Sequence, residues 1–367
     1  MKASIAAAVV LAVAFFVSPL RARAADKEVN LLAMGDWGSN KPDQRMMAGT
    51  IAKYVKSEAR QFDGMLLCGD NFYVPLANVF DPKWKSMFED MYDRKVLNFP
   101  FYVALGNHDY RTDNYLVELA YAKANPDSRW KFPDRWYRLE FPNDRQPVVT
   151  VLMLDSDKDL LGQDKWQEEL DWLTEQLSYP RRSKWLVAAA HHPLFSNGDH
   201  GDNGVLQHTW GPLFAAARLD FYICGHDHDI QHLELPNYKE SFLLVGGGGA
   251  SVRPMRLDQR GPFSKSTHGF ADLNFTAEKA TVRLIGPDAK PLHEFTRTRE
   301  GVVEMKKTVP SDPAVPRTVK SITRGGEEPA TTREATTREA TTREATTREA
   351  TTRSATTPEA TTRHIEE

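Results

Sequence analysis

Cysteine is nearly absent. Cys68 and Cys224 are the only two in 367 residues, which excludes a disulfide-dense secreted scaffold. Each sits just before a glycine at the end of an apolar run, a place that suits a small buried hydrophobe; a bridge between them stays open, because sequence does not define the geometry a disulfide needs. Charge of one sign is also scarce: the net charge is -3 and no Lys/Arg-rich stripe concentrates it, so the footprint of a nucleic-acid binder is missing. No segment beyond the N-terminus is apolar enough to span a bilayer. Core-forming residues are plentiful, at 41% hydrophobic and 10% aromatic, which excludes disorder throughout.

The two ends differ in composition from the middle. Met1-Lys2, an apolar stretch from Ile5 to Val17 and the run Ser18 to Ala24 have the charged start, short apolar middle and small-x-small ending of a secretory signal. Cleavage is expected after Ala24, and secretion follows, with an extracellular, lysosome-like or periplasmic destination left open. Removing residues 1–24 takes away Lys2, Arg21 and Arg23 and no acid, moving the net charge from -3 to -6. From about Lys306 the chain turns proline-rich and then repeats Ala-Thr-Thr-Arg-Glu from Ala330, so 306–367 is expected to be a disordered Thr-rich tail with no apolar face to bury. The folded domain is then 25–305, with a monomer favoured.

Within that domain short apolar runs alternate with amphipathic stretches, the rhythm of an α/β fold. The runs are Val29 to Met34, Gly64 to Cys68, Phe101 to Leu105, Val148 to Leu154, Trp185 to Ala190, Phe221 to Cys224 and Phe242 to Val245. Trp166, Leu170, Leu173 and Leu177 recur at three and four, predicting a helix over 164–177; weaker helical patterns follow Pro42, Pro82, Thr112 and Val205. Phe270 to Phe275 and Thr281 to Ile285 flank a polar turn and predict an antiparallel hairpin, hence a mixed sheet.

Five of the apolar runs end directly in metal-ligand types: Gly35-Asp36-Trp37-Gly38, Gly69-Asp70-Asn71-Phe72-Tyr73, Gly106-Asn107-His108-Asp109, His191-His192-Pro193 and Gly225-His226-Asp227-His228. Carboxyl ends of strands line one crevice in α/β sheets, so Asp36, Asp70, Asn107, His191, His226 and His228 converge there. Four motifs place glycine first, where the chain must turn at once toward the crevice. The run Gly246 to Gly249 lacks a following Lys-Ser/Thr and reads as a tight loop instead of a phosphate-binding P-loop.

In this order the motifs resemble the metallophosphoesterases, and more narrowly the purple acid phosphatases of the small, tartrate-resistant type. The resemblance covers residues 29 to 286 and includes Trp37-Gly38, Asn71-Phe72-Tyr73 and His268-Gly269-Phe270. It implies a sandwich of two mixed β-sheets flanked by helices, a four-layer αββα architecture. By the same resemblance Asp36, Tyr73 and His228 bind one metal, Asn107, His191 and His226 bind a second, and Asp70 bridges them. Oxygen-rich ligation with a phenolate suits Fe(III), while two imidazoles and an amide suit a divalent Fe, Zn or Mn. The bland reading of Tyr73 is packing beneath its loop.

Such a pair, about 3.5 to 4 Å apart, holds a phosphate ester in line and generates hydroxide from water. The implied activity is a secreted acid phosphatase acting on small phosphomonoesters or phosphoproteins. His108 is implied to contact the phosphate, and His200, in Gly198-Asp199-His200-Gly201, to assist it or protonate the leaving group at a pH where a histidine still carries its proton. Asp109 is expected to orient His108. His191 is taken as the donor, with His192 a pocket-lining substitute for the family's aromatic residue. Asn274-Phe275-Thr276 is a glycosylation sequon. The stretch Asp155 to Asp164 is shorter than the loop that covers the site in mammalian relatives, so little proteolytic activation is expected. Competing readings are a divalent-metal phosphodiesterase or nucleotide phosphatase, and a catalytically inactive scaffold or adhesion protein on the same fold.

Overall fold

Every apolar run that leads into a motif folds as a strand that stops where the motif begins. The computed structural model describes residues 27–256 and 260–315; the expected leader and the repeats from Ala330 lie outside them. In chain order the strands are β1 (Val29–Met34), β2 (Gly64–Cys68), β3 (Phe101–Ala104), β4 (Trp130–Lys131), β5 (Tyr137–Phe141), β6 (Val149–Met153), β7 (Trp185–Ala189), β8 (Phe221–Cys224), β9 (Ile230–Leu233), β10 (Ser241–Val245), β11 (Phe263–Lys265), β12 (Phe270–Phe275), β13 (Lys279–Ile285), β14 (Pro291–Thr298) and β15 (Val303–Thr308). One sheet runs β15-β14-β13-β12-β1-β2-β3-β4 and the other β11-β9-β10-β8-β7-β6-β5. Parallel pairing joins β1 through β4 in the first and β6, β7, β8 and β10 in the second; all other pairs are antiparallel, so both sheets are mixed.

Alternation along single strands produces the layering. On β12, Phe270 meets Tyr54 of helix α1 (Pro42–Ser57) at 5.5 Å between rings, while Phe275, on the opposite face, meets Trp185 and Phe221 of the second sheet. Side chains of odd and even number point to opposite faces of a strand, so one strand contacts both a helix and the facing sheet. Helix α5 (Gln163–Ser178) buries Trp166 and Leu173, and Trp166 stacks on Trp210 at 5.5 Å; Phe214 of α7 (Gly211–Ala217) packs on Tyr222 of β8. The expected helix after Thr112 is α3 (Asn114–Ala124); α2 (Asn107–Arg111), α4 (Lys158–Leu161) and α6 (Gly204–Thr209) are short, and the stretch after Pro82 is a π-helical turn, Trp84–Glu89. Among the described residues no helix is long and apolar enough to cross a membrane.

The expected boundary at 305 falls inside β15. Beyond it Val309 N–H donates to Leu292, Asp312 pairs with Lys265, and Val315 N–H donates to Met255, so the folded chain continues at least to 315. The signal was absent because β15 is almost wholly exposed and carries no apolar alternation. The sequon asparagine, Asn274, lies within β12, paired on both sides, with its amide bonded to Asn30 and Glu28. Cys68 and Cys224 are both buried free thiols.

Candidate metal centre

Loops after β1, β2 and β3 of the first sheet and after β7 and β8 of the second meet at one place, so the crevice lies between the ends of two sheets and not along one. The backbone there is unusual. Asp36, Asp70 and His226 have φ of 57°, 53° and 71°, left-handed values that residues with a Cβ rarely adopt. The turning is therefore done by the candidate ligands themselves. Of the four glycines preceding them only Gly69 has positive φ, at 80°. The others are needed for close approach: a Cβ on Gly106 would stand 2.3 Å from Asp70 Oδ1, and one on Gly225 would stand 2.4 Å from Asp36 Oδ2.

The side chains form two adjoining groups. Tyr73 OH lies 3.2 Å from Asp36 Oδ1 and 3.1 Å from His228 Nε2, and His228 Nε2 lies 3.3 Å from Asp36 Oδ1. Asp36, Asp70 and His228 bring one donor atom each within 4.8 Å of one another, a geometry that could hold a cation. In the second group His191 Nε2 lies 3.2 Å from Asn107 Oδ1 and 3.1 Å from His226 Nδ1. Asp70 reaches both, its Oδ1 standing 3.5 Å from His191 Nε2. Each ligand is held from behind: His191 Nδ1 bonds Cys68 O at 2.9 Å, His228 Nδ1 bonds Ser251 O at 2.8 Å, and Asp36 Oδ2 accepts from His226 N–H at 2.7 Å. Such supports select the tautomer that leaves Nε2 of His191 and His228 facing the centre.

Electrostatics separate the two groups. Burial pushes the Asp36 carboxyl up, but His191, His228 and the His226 N–H outweigh it and hold it below the usual range. Burial and the carboxylates of Asp36 and Asp70 push the Tyr73 phenol well up, so protein groups alone keep it protonated and only a strong cation there would reverse this. His226 and His192 are pushed far down by burial and by neighbouring imidazoles, which leaves neutral nitrogen lone pairs. The Asn107 side-chain amide closes the second group, 3.2 Å from His191 Nε2, which itself lies 3.1 Å from His226 Nδ1, so an amide and two imidazoles converge on one point. The donor sets thus fit an oxygen-rich site for a hard ion beside a nitrogen-rich one.

The calcineurin-like phosphoesterase family matches residues 29–229, which span all five motifs up to Asp229. The chain belongs to the calcineurin-like metallophosphoesterases. It is 31% identical to tartrate-resistant acid phosphatase type 5 of Homo sapiens over 306 residues, covering 75% of this chain and 92% of that protein. It is 26% identical to purple acid phosphatase 4 of Arabidopsis thaliana over 75% of this chain and 85% of that one. Within the family it falls on the purple acid phosphatase branch. Among solved structures, GAP50, the anchor in the inner membrane complex of Plasmodium, aligns with a TM-score of 0.65 at 20% identity over 77% of this chain and 90% of that one. A purple acid phosphatase from yellow lupin seeds aligns at 0.57 and 18% identity over 81% and 57%. Both structural likenesses speak for the fold, two mixed sheets flanked by helices.

Around this metallophosphoesterase centre some expected partners change. Asp109 does not orient His108. Its carboxylate accepts from the N–H groups of Asn71, Phe72 and Gly106, at 2.9, 3.0 and 2.9 Å, so it ties the Asp70 loop to the Asn107 loop. The reason is position: Asp109 lies in the first turn of α2, facing inward and fully buried. His108 instead donates its N–H to Asp70 Oδ1 at 2.9 Å, and its ring lies 4.3 Å from the Tyr73 ring. His200 stacks on His226 at 4.1 Å, but its Nε2 is taken by Arg253. Burial pushes both His108 and His200 below the ordinary histidine value, so each carries a proton only at more acidic pH than a free histidine. His192 does line the pocket, 4.3 Å from His226 ring to ring with Nδ1 on Ser156, yet with His191 and His226 it also forms a trio able to hold a cation.

Sequence reasoning missed several supports. Asn71 accepts from Trp37 Nε1 and donates to Ala104 O, Asp109 and Glu118, joining three ligand loops through one amide. Asp227 accepts from His200 N–H and Ser196 Oγ, positioning the His200 loop. Asn71 and Asp227 stand inside the motifs, and that adjacency was the available signal; Glu118 and Arg253 stand outside and had none. Beside the centre opens a cleft of about 770 Å³, lined by His192, His200 and His226 and also by Lys158, His208 and Thr209. The short 155–164 segment forms α4 and the start of α5 at its edge.

Proposed function

We propose that this protein is a secreted acid phosphatase that hydrolyses phosphomonoesters at a binuclear centre of Fe(III) and a divalent ion, Fe, Zn or Mn. Asp36, Tyr73 and His228 would hold the iron, Asn107, His191 and His226 the divalent ion, and Asp70 would reach both. When bound, such a pair would lower the pKa of water and offset the charge of the phosphate. The chain's own groups do the rest. Asp109 and Asn71 keep the ligand loops in register, and His108, braced on Tyr73, offers its ring to the phosphate oxygens. His200 sits over His226 at the cleft, next to where a leaving group departs. The burial of His191 and His228 keeps water from competing for their nitrogens. Secretion rests on the pattern of residues 1–24 alone.

The convergence of the Tyr73 hydroxyl on Asp36 Oδ1 and His228 Nε2, at 3.2 and 3.1 Å, carries this reading, because a phenol, buried carboxylates and imidazoles gathered this closely form a donor set for cations. The test is hydrolysis of p-nitrophenyl phosphate at acidic pH together with metal analysis and a visible spectrum. Asp70→Ala should lower turnover by more than about a hundredfold, beyond the 10–100-fold typical of losing a support outside the ligand set. Iron should be found, with a broad absorption that disappears in Tyr73→Phe. Divalent metals alone and no such band would turn the assignment toward a divalent-metal phosphodiesterase or nucleotide phosphatase. The likeness to GAP50 favours a second reading, a non-catalytic scaffold, which requires that the metal-loaded protein turn over no phosphate ester.

A further inference from the structure

We propose that Lys158 and Arg253 select phosphomonoesters whose leaving group carries a second anionic group, a phosphate or a carboxylate, bound in the cleft beside the metal centre. This rests on the phosphomonoesterase reading above and names the substrate class of that same site.

The cleft is larger than the reaction alone needs. Its volume of about 770 Å³ lies within the range of about 300–1,000 Å³ that encloses a drug-sized ligand, so the leaving group has a defined place to sit. Its charge is lopsided. Lys158, at the first position of α4, lines it, and among the described residues no carboxylate lies within ion-pair distance of its Nζ. The acid that also lines the cleft, Asp202, is already occupied, by Arg260 through two contacts of 2.7 and 2.9 Å and by Ser196 N–H at 3.0 Å. The net offer to a ligand is therefore positive. Lys158 shares no described contact with Asp36, Asp70, Tyr73, Asn107 or His228, so its charge serves the leaving group and not the phosphoryl group held by the metals.

Arg253 provides the second cation. Its backbone is pinned at both sides, the N–H to His228 O at 3.0 Å and the carbonyl by Ser266 Oγ at 2.6 Å. Nη1 reaches His200 Nε2 and, at 3.4 Å, His226 O, two residues that line the cleft. Among the described residues neither Nε nor Nη2 has a protein partner, and no carboxylate pairs with the guanidinium. A partly buried guanidinium with two donor groups unused is matched to an oxyanion, which a planar fork binds better than a point charge does. A neutral leaving group would offer no anion to Lys158 or to the two unused donors of Arg253.

The measurement compares kcat/KM for p-nitrophenyl phosphate, fructose 1,6-bisphosphate and O-phosphoserine in the wild type, Lys158→Ala, Lys158→Glu and Arg253→Ala. The wild type should prefer the doubly anionic esters, and its KM for them should rise with salt as screening weakens the attraction. The preference should fall on the order of tenfold in Lys158→Ala, the scale of one charged hydrogen bond lost, and further in Lys158→Glu. Arg253→Ala should act in the same direction through KM. A fall for the bisphosphate alone identifies phosphate as the second group, and one for phosphoserine alone identifies carboxylate. A ratio unmoved by both Lys158 substitutions overturns the proposal. If the wild type hydrolyses none of the three, the phosphatase reading has failed by itself. Calorimetric binding of fructose 1,6-bisphosphate, weakened in Lys158→Glu or not, then still upholds or sinks the subsite.

Discussion

Asp36, Asp70 and His226 hold left-handed backbone angles at the point where their side chains enter the site. Such a conformation costs about 1–3 kcal/mol where the residue is not glycine, and aspartate bears it best because its short polar side chain bonds locally. Here the carboxylates bond across the site instead, Asp36 to the His226 N–H and Asp70 to the His108 N–H, 190 and 38 residues away. Space for them comes from glycines that approach within contact distance. Gly106→Ala would press a methyl on Asp70 and should destabilise by about 1–3 kcal/mol, as overpacking does, while lowering bound metal per chain. Gly49, inside α1, is the control, since an added methyl would meet nothing within 4 Å: Gly49→Ala should stabilise by about 0.5–1 kcal/mol. Urea unfolding with metal analysis checks both. The motifs were legible in the sequence because strand-end glycines and ligands are contiguous; the role of Asp109 was not, because which neighbour a buried carboxylate faces depends on the turn of helix it occupies.

Between elements, buried ionisable groups fasten one layer to the next. His232 of β9 bonds His293 of β14 at 2.9 Å, and His293 bonds Thr308 of β15 at 2.8 Å, so one imidazole pair links the two sheets. Burial and His232 push His293 down to about 3. Below the free-histidine value of 6.5 the unfolded chain takes up a proton that the folded chain refuses. The contribution is thus complete above that value and is lost as pH falls toward 3, at up to about 1.4 kcal/mol per pH unit. His293→Gln keeps hydrogen-bonding groups without a charge to gain, so stability against urea should fall less steeply over this interval; an unchanged acid slope would discount the link. Asp155, pushed up to about 7 by burial beside Glu169, works in the opposite direction: its contribution is present below the ordinary carboxylate value and lost as pH rises through 7. The sequence predicted the apolar elements well. It missed β9 because Gln231 and His232, both fully buried, interrupt the apolar pattern that marks a strand.

Across the whole molecule the described chain is closed by its last residues. Residues 306–308 complete β15, Ser311 Oγ accepts from Ser264 N–H, Asp312 bonds Lys265 and Ser266, and Val315 reaches Met255 in the segment that carries Arg253. This stretch fastens the edge of the first sheet to β11 at the edge of the second. A chain ended after Met305 should therefore melt roughly 5–10 °C lower than the full chain, from a handful of hydrogen bonds at about 1 kcal/mol each. Calorimetry decides it, and equal melting temperatures would mean that the closure contributes little. Deletion should also loosen the Arg253 segment, which hydrogen exchange at residues 253–256 would record.

By itself the sequence determined the strands that lead into the motifs, the closing β12–β13 hairpin and the donors that end five strands, since apolar runs, glycine and ligand type are local properties of the chain. Only the tertiary structure decided that those loops come from two sheets, that Asn71 and Asp109 bind them together, that Lys158 borders the cleft and that Arg253 reaches two histidines lining it. These are contacts between loops whose bonded residues lie 27 or more positions apart, or charges without a carboxylate partner on otherwise ordinary segments. A charge gains meaning from what stands opposite it, and that is set by packing.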